Sequence, residues 1–145
     1  MSGEPVVILL VEDNPDDADL TIRTLRKHNV HNPLHHAHDG EEALAFLHGA
    51  DGRTPPAGPL PRLVILDLKL PKVDGFEVLR AIRANPRTRL IPVVVMTSSR
   101  EEGDLIRSYE LGTNSYVVKP IEFGEFAHAV TELGMYWILL NASAR

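Results

Sequence analysis

The chain reads as an α/β protein, a parallel sheet covered by helices on both faces, on three observations. Short runs of Val, Ile and Leu recur along it, at Val6 to Val11, Leu63 to Leu66, Val93 to Met96 and Tyr116 to Val118. Such continuous apolar runs suit strands buried on both sides, and helical patterns separate them. Each run also delivers a polar residue: Glu12 and Asp13, then Asp67, then Thr97, then Lys119. In an open parallel sheet the carboxyl ends of the strands share one edge, where ligands bind, so these residues converge.

Taken in order, Asn14-Pro15-Asp16-Asp17 starts the first helix, with Pro early and acids at the positive end of its dipole. That helix runs to about His28. Pro33 to His38 is a weak strand interrupted by His35, His36 and His38, which places it at the sheet edge. Asp39-Gly40 turns into a helix over Glu41 to His48. Residues 49–62 contain Pro55, Pro56, Gly58, Pro59 and Pro61 and form an extended surface loop. Asp74-Gly75 opens a helix from Phe76 to Ala84, in which Phe76, Leu79, Ile82 and Arg83 keep a helical period, and Pro86 stops it. Glu101 to Leu111 is a more polar, thinly packed helix ended by Gly112. The last helix starts after Pro120 and carries Phe123, Phe126, Val130 and Leu133, then Tyr136-Trp137-Ile138-Leu139-Leu140. Those consecutive apolar residues cover more than the one face a neighbouring sheet can bury, so a further surface is expected to cover them.

Composition narrows the function. A chain of 145 residues is near the usual size of one domain, and no linker or repeat divides it. A net charge of -5 with no Lys/Arg block argues against nucleic-acid binding. The absence of Cys excludes disulfide and thiolate chemistry and is compatible with a reducing compartment. There is no basic leader, and the apolar runs fall short of the roughly 18 residues that span a bilayer. A soluble, cytoplasmic protein with no membrane partner is expected.

Asp13 and Asp67, with Glu12 close behind, concentrate negative charge that a hard divalent cation would offset. Magnesium prefers oxygen ligands and is commonly held by one or two carboxylates plus a phosphate. The plainer alternative makes Asp13 a helix N-cap and Asp67 a loop acid. Thr97 and Lys119 favour the site, because a hydroxyl and an ammonium at neighbouring strand ends bind phosphoryl oxygens.

Val11-Glu12-Asp13, Leu66-Asp67, Leu70-Pro71 through Asp74-Gly75, Met96-Thr97-Ser98 and Tyr116-Val117-Val118-Lys119-Pro120 stand in an order and spacing that resembles the receiver domain of two-component response regulators, over nearly the whole chain. The resemblance implies a flavodoxin-like (βα)5 three-layer sandwich with strand order 2-1-3-4-5. It implies that Asp67 is the phosphoacceptor and that Glu12, Asp13, Asp67 and the backbone carbonyl of Lys69 organise Mg2+. Thr97 and Lys119 would hold phosphoryl oxygens, Ser98 would leave room beside them, and Lys119-Pro120 would be cis. Thr97 and Tyr116 would form the switch, with Tyr116 otherwise an ordinary half-buried strand residue. Lys69 and Ser99, two positions beyond Asp67 and Thr97, would tune the lifetime of the phosphoryl group.

On this reading the chain is a single receiver domain without an output domain. It catalyses only its own phosphotransfer and autodephosphorylation, and it signals by protein contact or relay to a histidine phosphotransfer protein. The Pro-rich loop and the segment Leu133-Gly134-Met135-Tyr136-Trp137 through Asn141 resemble the small regulators paired with phytochromes. A phytochrome-type sensor histidine kinase is the implied donor. A homodimer through the C-terminal helix region would bury its apolar end.

Other readings fare worse. Of His31, His35, His36 and His38 only His36 and His38 share a strand face, too few for zinc, and solvated edge histidines explain them better. Asp16 and Asp17 read as surface acids matched to the helix dipole, and Pro55-Pro56 as a spacer. A haloacid-dehalogenase-like phosphatase needs a second Asp where Lys69 stands, and a nucleotide-binding loop would be glycine-rich where Glu12-Asp13-Asn14-Pro15 is acidic. A receiver-fold scaffold working without phosphorylation is the remaining alternative.

Overall fold

A computed structural model describes residues 6–52, 54, 56, 59–98 and 101–134. The strands are β1 (Ile8–Val11), β2 (Leu34–Ala37), β3 (Leu63–Leu66), β4 (Val93–Thr97) and β5 (Ser115–Val118), alternating with α1 (Pro15–Lys27), α2 (Gly40–His48), α3 (Gly75–Ala84), α4 (Glu102–Glu110) and α5 (Phe123–Glu132). All strands pair in parallel, in the order β2-β1-β3-β4-β5, giving the flavodoxin-like receiver fold.

β1, β3 and β4 are buried at every position, as their continuous apolar runs require. Alternate side chains serve opposite layers. Ile8, Leu10, Ile65, Val94 and Met96 meet Ala18 and Leu25 of α1 and Phe126 and Val130 of α5. Leu9, Val11, Val64, Leu66, Val93 and Val95 meet Ala43 and Leu47 of α2 and Phe76, Leu79 and Ile82 of α3.

The helix starts are set by side chains that accept otherwise unpaired amide protons, each worth about 1 kcal/mol. Asn14 caps α1 through the amides of Asp16 and Asp17, Asp39 caps α2, Asp74 caps α3 and Glu122 caps α5. α4 has no side-chain capping bond. It leaves Leu105, Ile106 and Tyr109 exposed, in keeping with the thin packing its polar sequence predicts.

α5 carries Phe123, Phe126 and Val130 as the sequence predicts and is capped by Leu133, with Gly134 at φ 73. The sequence from Met135 onward, including Tyr136-Trp137-Ile138-Leu139-Leu140, lies outside the described residues. The β2 histidines are not simply solvated. His35 stacks on Phe46 with ring centroids 4.0 Å apart, and His36 Nε2 lies 2.8 Å from the Glu12 carbonyl oxygen. A packed imidazole covers apolar surface while its nitrogens still find polar partners.

Candidate functional site

Register brings the predicted residues together. Val11 is level with Leu66, which sets Glu12 beside Asp67, and Thr97 is level with Val118, which sets Lys119 just beyond it. Backbone bonds carry this alignment past the strands: Asp67 N donates to Val11 O at 3.1 Å and Lys119 N to Thr97 O at 2.8 Å. At Gly75 a side chain would be impossible, since a Cβ there would stand 2.3 Å from the Asp67 carbonyl oxygen, so the start of α3 packs directly on the Asp67 backbone. The Lys119-Pro120 peptide is cis.

Because Asn14 is the N-cap of α1, Asp13 is not spent on capping. Glu12 and Asp67 are buried and Asp13 is exposed, and ligand oxygens of these three lie within 4.8 Å of one another. Among the described residues this is the one His, Cys, Asp or Glu group close enough to share a metal ion. Lys119 Nζ stands 2.5 Å from Glu12 Oε1, 2.9 Å from Asp67 Oδ2 and 3.0 Å from Asp17 Oδ2. Asp67 Oδ1 also accepts from the Lys69 amide at 3.1 Å. Thr97 is fully buried at the end of β4, and Tyr116 is half-buried against the α2–α3 side of the core. Ser98 is exposed, and Ser99 lies outside the described residues.

Burial pushes the Glu12 carboxyl up to about 7, and the neighbouring Asp67 charge adds to this, while hydrogen bonds from Lys119 and the Asn14 amide hold it back. For Lys119, burial pulls the ammonium down, but hydrogen bonds with Glu12, Asp67 and Asp17 outweigh it and the net shift is upward. The site therefore pairs one firmly charged cation with more carboxylate charge than it neutralises. A hard, oxygen-preferring divalent ion fits that donor set.

Asp17 does more than the sequence predicts. It does lie in the acidic first turn of α1, but its carboxylate is a partner of Lys119 as well as a match to the helix dipole. His36, which supports the Glu12 backbone from the edge strand, was equally unforeseen as part of this neighbourhood. The one signal for Asp17 was its place in the helix turn that directly follows Glu12 and Asp13.

Residues 8–131 match the model of the response regulator receiver domain. The chain belongs to the response-regulator receiver family. This receiver superposes on the structure of the bacteriophytochrome response regulator AtBRR with a TM-score of 0.82 and 52% identity, covering 95% of this chain and 99% of that one. It is 41% identical to the response regulator Rcp1 of Synechocystis sp. over 94% of this chain and 92% of Rcp1. The Mn2+-bound structure of Rcp1 aligns with a TM-score of 0.73 over 92% of this chain and 94% of that one. The structure of the phosphorylated cyanobacterial phytochrome response regulator RcpA is 34% identical, with a TM-score of 0.72, covering 94% and 95%. The receiver is thus similar to phytochrome-associated response regulators, as its motifs imply.

Proposed function

We propose that this receiver accepts a phosphoryl group on Asp67 from the phosphohistidine of a sensor histidine kinase. The observation that carries the reading is the Lys119 ammonium 2.9 Å from Asp67 Oδ2, beside a buried carboxylate group able to take a divalent ion. An Asp67 oxygen attacks phosphorus in line, the new P–O bond replaces the P–N bond, and the kinase imidazole leaves with its proton restored. Lys119 and Thr97 hold the equatorial oxygens, and Lys119 offsets their charge. Glu12, Asp13, Asp67 and the Lys69 carbonyl would hold Mg2+, which when bound screens the phosphoryl oxygens from Asp67. Water later hydrolyses the aspartyl phosphate, so the chain turns over only its own modification. Lys69, whose amide donates to Asp67 Oδ1, and Ser99 tune that lifetime.

The output we infer is a movement of Thr97 and Tyr116 that reshapes the side of α4, β5 and α5. The poorly capped, thinly buried α4 supports this, because such elements rearrange at little cost. Likeness to AtBRR, Rcp1 and RcpA supports a phytochrome-type kinase as donor. The signal then passes by protein contact, through a homodimer of the C-terminal region or onward to a histidine phosphotransfer protein, in the cytoplasm and without nucleic-acid binding. Among the described residues no helix is long and apolar enough to cross a membrane.

The test is intact-protein mass after incubation with phosphoramidate and Mg2+. Wild type is expected to gain one phosphoryl group that chelator prevents, and Asp67→Asn none. Failure of wild type to gain mass would replace this reading with a phosphorylation-independent scaffold.

A further inference from the structure

Lys119 has two kinds of anionic partner. Glu12 and Asp67 belong to the group of carboxylates close enough to share a metal ion, and Asp17 does not. A divalent cation held by Glu12 and Asp67 would draw on the same carboxylate charge and set a second positive charge near the ammonium. Lys119 is only 11% exposed, so a repelled ammonium must either leave this buried position or find another counter-charge there. Asp17 Oδ2 is 3.0 Å away, on the first turn of a helix that Asn14 fixes in place. We propose that Asp17 is a positioning residue: its carboxylate holds the Lys119 ammonium at the site while the neighbouring carboxylates bind metal. This rests on the phosphoryl-acceptor reading and extends it to a residue outside the metal group. Asp17 touches neither metal nor phosphoryl group. It keeps the cation that does in register with Asp67.

Asp16 provides the control. It lies in the same first turn and contributes the same charge to the helix dipole, but it is exposed, and Lys119 pairs with Glu12, Asp67 and Asp17 instead. Asp17→Asn, Asp17→Glu and Asp16→Asn would be compared with wild type at saturating Mg2+. With phosphoramidate, Asp17→Asn is expected to lower the maximal rate of phosphoryl uptake about ten-fold, a loss of about 1.4 kcal/mol of transition-state stabilisation. Asp17→Glu should recover most of that rate, and Asp16→Asn should match wild type. Calorimetric Mg2+ affinity should change less than about three-fold, the scale of one screened charge. A second readout needs no phosphoryl transfer: Lys119 acetylation by an amine-reactive ester, quantified by peptide mass, should rise about three-fold or more in Asp17→Asn as its ammonium loses a counter-charge. Equal behaviour of Asp17→Asn and Asp16→Asn in both readouts would overturn the proposal. If wild type takes up no phosphoryl group, the acceptor reading fails by itself, and the acetylation result alone decides whether Asp17 holds Lys119.

Discussion

Lys69 Nζ lies 3.2 Å from Asp104 Oδ2, joining the loop after Asp67 to α4. A second tie places the Arg107 guanidinium 4.0 Å over the Phe76 ring at the start of α3. The sparse apolar burial of α4 makes such polar ties a large share of what holds it. Asp104→Asn should therefore accelerate amide exchange across α4 several-fold while β1 and β3 keep their protection. Because Lys69 is largely exposed, global stability in urea should fall by less than about 1 kcal/mol. Unchanged α4 exchange in deuterium-labelling mass spectrometry would contradict this.

Removing Lys119 strands two buried carboxylates. In chelator, Lys119→Met should lose about 2 kcal/mol of unfolding free energy, less than the full cost of an unpaired buried charge because Glu12 can take up a proton. Millimolar Mg2+ should restore most of the loss. An equal deficit with and without metal would mean that the Lys119 stem matters through packing alone.

The raised Glu12 value of about 7 fixes the sign of a pH effect. In the unfolded chain this carboxyl titrates near 4.5, so the folded metal-free protein binds the proton more tightly. Its contribution to stability therefore grows as pH falls from above 7 toward 5 and is lost as pH rises through 7. Metal binding runs the other way, since the ion needs the carboxylate. Mg2+ affinity should fall about ten-fold between pH 7.5 and 6, with about half a proton released per ion at pH 7. Titration calorimetry in two buffers of different ionisation enthalpy measures both.

Arg83 closes the end of the sheet opposite the site. Its guanidinium donates to the carbonyls of Gly112, Arg89 and Ile91 and to Asn114 Oδ1, at 2.6 to 3.0 Å, binding the α3–β4 and α4–β5 turns together. A lysine cannot reproduce that fork, so Arg83→Lys should cost about 2 kcal/mol in urea unfolding. Near-wild-type stability of the lysine variant would assign the role to the aliphatic stem.

The sheet and its loaded edge were legible because they depend on local pattern. Leu63 to Leu66 cannot be other than buried, and the residue after such a strand in an open parallel sheet has only one edge to occupy. Even the weak β2 was placed correctly at the edge, from its interrupting histidines. What escaped depends on the approach of separate elements. Asp17 meets Lys119 only once the first turn of α1 and the end of β5 are brought to the same edge, and Arg83 looks like one more residue of a helical stripe until the turns it joins are in place. His35 stacking on Phe46 likewise follows from how α2 lies over β2.

The sheet also acts as a partition. Along β5, Tyr116 belongs to the core shared with α2 and α3, whereas Val117 belongs to the core shared with α1 and α5. Away from the β5 edge, packing changes on one side reach the other through strand backbones, and substitutions that share no contacts add nearly independently. A descendant of this protein can therefore remodel the outer surface of α1 for a new associate while inheriting the seat of Tyr116 unaltered. Heredity finds two separately adjustable halves in a molecule this small.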